Sequence, residues 1–295
     1  MLRDRALTVR ELSPADITAV RRVMTTSEYV YCRFGPEELP RLLARKPGVA
    51  AFAGDSLQAF LMTNILSPPS AWLGGFGVIW SEGNRFARYF DLLLPRYIAA
   101  VRRAGASALY YTGGDLPSDW LKDTLVERSF RLLTTLRSYD KLDFQIPSEG
   151  DQEVLVRPFA PADLPDLLHV EQACFAQYWR YDAASFLEVA ETYPYFVVAV
   201  KAGRVIGYQF NTVDGGMGFL VRIAVRPDLN SRGIGARLMA EAIQYFQKEH
   251  VWKIALNTEE MNHHAHRLYE WFGFQLVAPQ GFVLERPLLT TAPQP

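Results

Sequence analysis

The order of apolar and polar positions in the second half of the chain predicts alternating strands and helices. Residues 153–159 alternate as a strand does. Apolar side chains then recur at helical spacing from Leu164 to Cys174, behind the turn-forming residues 161–163. Further runs predict strands at 195–200, 205–212, 219–226, 253–257 and 274–285, and helices at 182–191, 232–249 and 262–272. This order is typical of a mixed α/β sheet with helices packed on it.

An apolar stretch in the first half, residues 56–81, carries no charged side chain and is long enough to span a bilayer. Gln58, Asn64 and the pair Pro68–Pro69 interrupt it. Because lipid cannot satisfy the backbone groups that proline frees, we expect two buried strands joined by a turn rather than a membrane helix.

The chain contains an internal repeat. Residues 7–17 match residues 155–164 at a spacing of 147 positions, and residues 129–132 match residues 273–276 at a spacing of 144. The segment 145–152 is polar and contains proline and glycine, as expected of a domain boundary. The sequence therefore predicts two copies of one fold, residues 1–148 and 149–295.

Charge and cysteine content narrow the functional class. The 31 Lys and Arg residues balance 32 Asp and Glu residues, so no global basic field is available to hold nucleic acid or an anionic membrane. Two cysteines, Cys32 and Cys174, are too few for a disulfide framework or a thiolate metal site. Residues 1–5 lack the apolar core of a signal peptide. We therefore expect a cytoplasmic protein in which any anion is bound locally.

The segment 223–238 runs from a predicted strand through a short loop into a predicted helix, and the loop carries Gly233 and Gly235. Residues without a Cβ atom let a phosphate approach the backbone, and the unpaired N–H groups in the first turn of a helix point at such a ligand. The loop is therefore a candidate pyrophosphate cradle, although a turn with close helix packing explains the glycines equally well.

A second motif follows the next predicted strand: Asn262-His263-His264-Ala265-His266-Arg267-Leu268-Tyr269-Glu270-Trp271-Phe272-Gly273-Phe274. Together with the glycine loop, it resembles the GNAT superfamily of acetyl-CoA-dependent N-acetyltransferases, and the resemblance spans residues 153–286. It implies an α/β fold of two tandem GNAT-like domains, each a mixed, mostly antiparallel sheet flanked by helices.

The resemblance also implies a cofactor site and a mechanism. Acetyl-CoA would lie where strand 219–226 splays from strand 253–257. The residues contacting it would be Ile223, Ala224, Val225, Ser231, Arg232, Gly233, Ile234, Gly235, Ala236 and Asn262. The acceptor amine would attack the thioester directly, with a strand N–H stabilising the oxyanion and Tyr269 donating a proton to the departing thiolate. The resemblance implies neither a covalent enzyme intermediate nor a metal.

Two positions depart from the family pattern. Asn230 stands where an Arg or Gln is usual, and Asn257 stands where the ribosomal-protein N-terminal alanine acetyltransferases carry a glutamate. Residues 171–175 and the Trp179 region otherwise make that group the most similar one. A protonated amine, with a pKa of about 10.4 for lysine, must lose its proton before it attacks. Glu259, acting through a water, is our hypothesis for the base, with a solvated loop carboxylate as the alternative.

Side chains near the first two helices of the second half are candidates for the acceptor pocket. These are Cys174, Tyr178, Trp179 and Tyr181, for which burial in an apolar core is the alternative. Three histidines on the last helix are expected on the surface rather than in a metal site, because helical spacing separates them and no carboxylate stands at ligand spacing. They are His263, His264 and His266.

The first half lacks the residues that carry this chemistry. At the repeat spacings, Phe86 and Arg88 stand in place of the two loop glycines, and Leu125 stands in place of the proton donor. We therefore expect a degenerate domain that does not bind acetyl-CoA.

The function predicted from these observations is transfer of acetyl from acetyl-CoA to a primary amine of a small molecule or a peptide N-terminus. Nucleic acid and membranes are not expected as partners. A mycothiol-synthase-like acetyltransferase, which also joins two GNAT halves, and a CoA-binding sensor without turnover stay open as alternatives.

Overall fold

The computed structural model describes residues 6–229 and 232–288. The described chain divides into two compact units. Unit 1 comprises residues 6–112, 120–131 and 284–288, and unit 2 comprises residues 113–119, 132–229 and 232–283. Neither unit is a continuous half of the chain.

Unit 1 is a sheet covered by helices. Its elements are β1 (Leu7–Glu11), α1 (Ile17–Thr26), β2 (Val30–Cys32), α2 (Leu39–Arg45), β3 (Gly48–Ala53), β4 (Ser56–Ser67), β5 (Ser70–Val78), α3 (Phe86–Arg103), β6 (Ala108–Gly113) and α4 (Lys122–Glu127). The strand order is β1-β3-β4-β5-β6, and β2 pairs with β5. Neighbouring strands are antiparallel except β5 and β6. Tyr97 of α3 is fully buried against this sheet and shares a 2.7 Å hydrogen bond with Thr63.

Unit 2 repeats this plan. Its elements are β7 (Arg131–Lys141), β8 (Leu155–Pro158), α5 (Leu164–Cys174), α6 (Ala183–Thr192), β9 (Tyr195–Lys201), β10 (Arg204–Asp214), β11 (Met217–Val225), α7 (Ile234–Lys248), β12 (Lys253–Glu259), α8 (His263–Trp271) and β13 (Gln275–Pro287). The strand order is β7-β12-β11-β10-β9-β8. β13 lies beside β7, and its last residues, from Leu284 on, belong to unit 1. The predicted mixed α/β fold, mostly antiparallel and flanked by helices, is confirmed.

The core of unit 2 lies between α7 and the sheet. Met239, Ile243 and Phe246 form the buried face of α7 and pack with Ile254 of β12 and Phe272. Because apolar residues at these spacings occupy one face of a helix, the predicted amphipathic helix at 232–249 is confirmed over Ile234–Lys248.

The internal repeat is visible in matching contacts. Arg10 bridges to Asp16 at 2.6 Å in the first copy, and Arg157 bridges to Asp163 at 2.7 Å in the second. The parallel pair β5–β6 extends over Ser70–Trp72, and its counterpart β11–β12 extends over Met217–Phe219. The uncharged stretch 56–81 forms β4 and β5, as predicted. Among the described residues, no helix is both long and apolar enough to cross a membrane.

Strand β7 belongs to unit 2 although it precedes the polar segment 145–152. It pairs antiparallel with β12 from Leu136 to Lys141. The compact units therefore follow the packing of the strands, whereas the predicted boundary near residue 149 follows the sequence repeat and stays a prediction.

Candidate active site

A cleft opens in unit 2 where two parallel strands separate. β11 and β12 pair only from Met217–Lys253 to Phe219–Ala255. Just beyond this point the register of β10 and β11 shifts, because Phe210 pairs with Arg222 and Asn211 pairs with Leu220. The extra residue is Val221, and such a bulge bends a strand away from its neighbour. The splaying of these strands that the family resemblance implies is thus observed.

A first cavity of about 550 Å³ lies along the cleft side of β11 and the beginning of α7. Gly233 caps α7 with φ of +80°, a left-handed conformation that favours glycine. The first-turn N–H groups of α7 have no acceptor within the helix. The predicted cofactor residues on this cavity are Ile223, Ala224, Val225, Gly233, Gly235, Ala236 and Asn262.

Three other predicted cofactor residues do not line this cavity or cannot be placed. The side chain of Ile234 is buried in the core beneath α7. Arg232 precedes the helix and is not among the lining residues. Ser231, like Asn230, lies outside the described residues.

Arg267 of α8 brings a positive charge to the first cavity. Its Nη2 atom lies 3.2 Å from Nδ1 of His264, which lines the same cavity. Arg267 was not predicted, because the motif specifies no residue type at its position. Only the fold shows which side of α8 faces the cleft. This cation and the N-terminus of α7 line the same cavity, and both favour the binding of anions there.

Tyr269 lies at the junction between the first cavity and a second one of about 150 Å³. Its side chain is 4% exposed, and burial together with the neighbouring Tyr139 raises the pKa of its hydroxyl above the ordinary value. The hydroxyl is therefore protonated at neutral pH. Asn262, which also lines both cavities, caps α8 by accepting from the Ala265 N–H at 3.2 Å.

The second cavity is lined by residues from β7, β11, β12 and the loop after α5. It contains two of the predicted acceptor residues, Cys174 and Trp179, and the predicted base Glu259. Tyr178 is not a lining residue, but its hydroxyl donates a hydrogen bond to Oε1 of Glu259. Four predicted residues are thus together at this end of the cleft.

Tyr181 lines neither cavity, so the prediction that it belongs to the acceptor pocket is corrected. Its ring packs in the core of unit 2 against Phe186 and stacks with Phe210. The Tyr181 N–H donates to Oε1 of Glu171 at 2.7 Å and the Arg222 guanidinium lies over its ring, so the residue is held on the buried ion pair.

His266 is also placed differently from the expectation of three surface histidines. It is buried, and its Nδ1 lies 2.8 Å from the Tyr139 hydroxyl. Nε2 lies 3.0 Å from the carbonyl oxygen of Glu260, which can only accept, so Nε2 carries the proton and Nδ1 accepts from Tyr139. His263 and His264 are exposed, as expected. Among the described residues, no group of three or more His, Cys, Asp or Glu side chains forms a metal site.

A buried ion pair beneath the second cavity was not predicted. Arg222 of β11 pairs with Glu171 of α5, and Glu171 also accepts from the hydroxyl of Tyr208. The Arg222 guanidinium lies 4.2 Å from the ring centres of both Phe175 and Tyr181. Its Nη2 donates to the Trp179 carbonyl at 2.9 Å, so the pair fixes the loop that carries Trp179. The sequence offers no signal for a pair 51 positions apart.

The thiol of Cys174 is held at the edge of the cleft. Sγ donates to the carbonyl oxygen of Val225 at 3.1 Å. Burial, with the nearby Glu171 carboxylate, raises the pKa of the Cys174 thiol to about 12. Cys174 is therefore a neutral thiol at physiological pH, which is a poor nucleophile.

The corresponding region of unit 1 is filled. β2 pairs with β5 along Gly75–Gly77, the edge that matches the cleft-facing part of β11. The rings of Tyr29, Phe86 and Trp120 pack on one another where α3 begins. Arg85, which caps α3, has φ of −111° and lacks the glycine geometry that opens the cradle in unit 2.

Comparison with known proteins shows what the residues that form this cleft are similar to. Residues 161–274 match the model of the acetyltransferase (GNAT) family. An uncharacterized N-acetyltransferase from Methanocaldococcus jannaschii is 29% identical over 124 residues, which cover 41% of this chain and 78% of that protein.

Solved structures share the fold over nearly the whole chain. A tandem GNAT protein from the clavulanic acid biosynthesis pathway has a TM-score of 0.71 at 14% identity, covering 97% of this chain and 100% of that one. A GCN5-related N-acetyltransferase from Sphaerobacter thermophilus has a TM-score of 0.64 at 17% identity, covering 98% and 97%. The segment that matches the acetyltransferase (GNAT) family, residues 161–274, contains all the residues that line the first cavity.

Proposed function

We propose that the protein transfers an acetyl group from acetyl-CoA directly to a primary amine, in the cleft of unit 2. The observation that carries this proposal is the position of Tyr269 at the junction of two cavities, one with a cation and a helix N-terminus and the other with a carboxylate. An anionic cofactor and a cationic amine suit these opposite charges.

The first cavity fits acetyl-CoA, which supplies the activated acetyl thioester. Gly233 and Gly235 leave the beginning of α7 open to a pyrophosphate, and Arg267 adds a positive charge there. Among the strands of the described residues, none pairs with β11 on its cleft side beyond Phe219. The backbone groups of Ile223 and the N–H of Val225 are therefore available to hold the pantetheine arm, whereas the Val225 carbonyl already accepts from Cys174.

Residues at the junction supply the proton transfers. Tyr269 donates its hydroxyl proton to the sulfur as the C–S bond breaks. A cleft-facing N–H of β11 near the Val221 bulge stabilises the negative charge on the carbonyl oxygen. Glu259 accepts the proton that the amine loses, through a water. Cys174 takes no part as a nucleophile, because its thiol is neutral.

Thiol release with a panel of acceptors tests this function. The purified protein is incubated with acetyl-CoA and simple amines, polyamines, aminoglycosides or N-terminal peptides, and free CoA is followed. We expect release that depends on one acceptor class. Measurable CoA binding with no release for any acceptor would instead indicate a CoA-binding sensor.

We also propose that only unit 2 binds acetyl-CoA. The pairing of β2 with β5 and the aromatic cluster of Tyr29, Phe86 and Trp120 support this, because they occupy the positions that form the first cavity in unit 2. Calorimetric titration is expected to give one CoA per chain, and two would contradict the proposal.

A further inference from the structure

The charged side chains that line the second cavity differ in whether they already have a partner of opposite charge. Among the described lining residues, only Arg222 and Glu259 carry a charge. The Arg222 guanidinium is already engaged by Glu171 and by the Trp179 carbonyl, and it is stacked between two rings. Glu259 accepts from the neutral hydroxyl of Tyr178 and has no cationic partner in the described part of the chain. The cavity therefore offers a carboxylate and no uncommitted cation.

A cation next to the second cavity, Arg137, is also neutralised. Arg137 lies next in sequence to the lining residue Leu136, and its Nη2 pairs with Oε1 of Glu260 at 3.0 Å. Glu260 is further held by the Thr135 hydroxyl and by Gln280 at 3.2 Å. Neither Arg222 nor Arg137 is therefore free to pair with an acceptor carboxylate placed beside Glu259.

The other walls of the second cavity are neutral. Leu136, Leu220 and Trp179 provide apolar surface, and Asn257 and Thr258 provide neutral hydrogen-bonding groups. Such walls suit hydrocarbon or an amide next to the amine, since neither needs a counterion.

We propose that the acceptor is a primary amine that carries no carboxylate on the amine-bearing carbon, so that Glu259 attracts its ammonium group and no like charge approaches. This inference rests on the proposed function and narrows its substrate class to amines next to neutral groups, with free α-amino acids excluded. The reason is electrostatic: two like charges held close together in one cavity repel each other, and a neutral neighbour avoids that cost in free energy.

Matched acceptors that differ only at this position test the proposal. Phenylalanine, phenylalaninamide and 2-phenylethylamine are compared by kcat/KM, corrected for the fraction of free amine at each pH. We expect the amide and the phenylethylamine to exceed phenylalanine by about tenfold or more, mainly through KM. Equal values for phenylalanine and its amide would overturn the proposal and leave the acetyltransferase function intact.

Two neighbouring carboxylates provide the matched variants. Glu259→Gln is expected to reduce the preference for the amide over the acid by about tenfold, because the repelling charge is removed. Glu260→Gln is expected to keep that preference, because the Glu260 charge is already balanced by Arg137. An unchanged preference in Glu259→Gln would contradict the role given to Glu259.

A binding measurement separates this proposal from the function on which it rests. Tyr269→Phe saturated with CoA is titrated calorimetrically with phenylalaninamide and with phenylalanine. Tighter binding of the amide supports the substrate class even where no turnover occurs. Equal binding, or no binding of any amine, overturns it.

Discussion

Tyr269 is the candidate proton donor because it lines both cavities. Its hydroxyl stays protonated across the neutral range because burial and the nearby Tyr139 raise its pKa. Tyr269→Phe is expected to lower kcat by about a hundredfold, the usual size of a general-acid contribution. CoA affinity, measured by calorimetry, is expected to stay unchanged because the ring still fills its place.

Tyr245 offers a matched control for this variant. Its ring stacks on Tyr195 with centroids 4.1 Å apart, and it does not line either cavity. Tyr245→Phe is expected to retain kcat. A kcat for Tyr269→Phe equal to that of Tyr245→Phe would remove Tyr269 from the mechanism.

Cys174 lies close enough to the reaction to be mistaken for a nucleophile. The repeat shows a different role, since Ser27 of the first copy donates to the Val78 carbonyl at 2.6 Å, just as Cys174 donates to that of Val225. Cys174→Ser is therefore expected to keep turnover within about threefold, because a hydroxyl makes the same hydrogen bond.

The rate at which the Cys174 thiol is alkylated tests its raised pKa independently. With a pKa of about 12, the thiolate is scarce at pH 8, so iodoacetamide is expected to label Cys174 far more slowly than free cysteine. Labelling is expected to accelerate only as the pH approaches that value. Loss of turnover in Cys174→Ser, with an acetylated protein trapped in the wild type, would indicate a covalent route.

Gly233, before α7, and Gly235, within it, differ in backbone conformation and in the space available for a Cβ atom. Gly233 has φ of +80°, and an added Cβ would lie 3.0 Å from the Asp151 nitrogen. Gly235 is helical, and its added Cβ would meet only a Leu268 methyl at 3.3 Å. Alanine at position 233 is therefore expected to affect both stability and CoA binding, whereas alanine at position 235 is expected to weaken CoA binding without loss of stability.

Gly233→Ala is expected to lower the Tm by about 2–4 °C, since a left-handed non-glycine residue costs about 1 kcal/mol. Gly235→Ala is expected to keep the Tm or raise it slightly, because alanine favours a helix. Both variants are expected to weaken CoA binding in calorimetry. Normal affinity in both would exclude this loop as the phosphate site.

Element boundaries followed well from the pattern of apolar residues, but pairings between distant segments did not. α7 and α8 lie within two residues of their predicted limits, because a helical period marks the buried face of each. The three-residue strand β2 and the buried pair Arg222–Glu171 depend on partners far away in the sequence. Burial of His266 likewise depends on Tyr139, which lies in the other copy of the repeat.

At the scale of the whole molecule, the strand that precedes the predicted boundary belongs to the sheet of unit 2. Tyr139 of β7 is 1% exposed, packs beside Tyr269 and donates to His266. Leu136 of the same strand lines the second cavity. The first half of the chain therefore contributes to the candidate active site through β7, whatever its own capacity to bind a cofactor.

Two fragments test this contribution. Residues 149–295 lack β7, so they lose the partner of β12 and the buried Tyr139 ring, which alone is worth about 3–5 kcal/mol. We expect that fragment to aggregate or to show no cooperative melting. Residues 130–295 retain β7 and are expected to melt cooperatively and to bind CoA. Equal Tm and CoA affinity for the two fragments would show that β7 is dispensable, since the catalytic unit would then be complete within the second copy of the repeat.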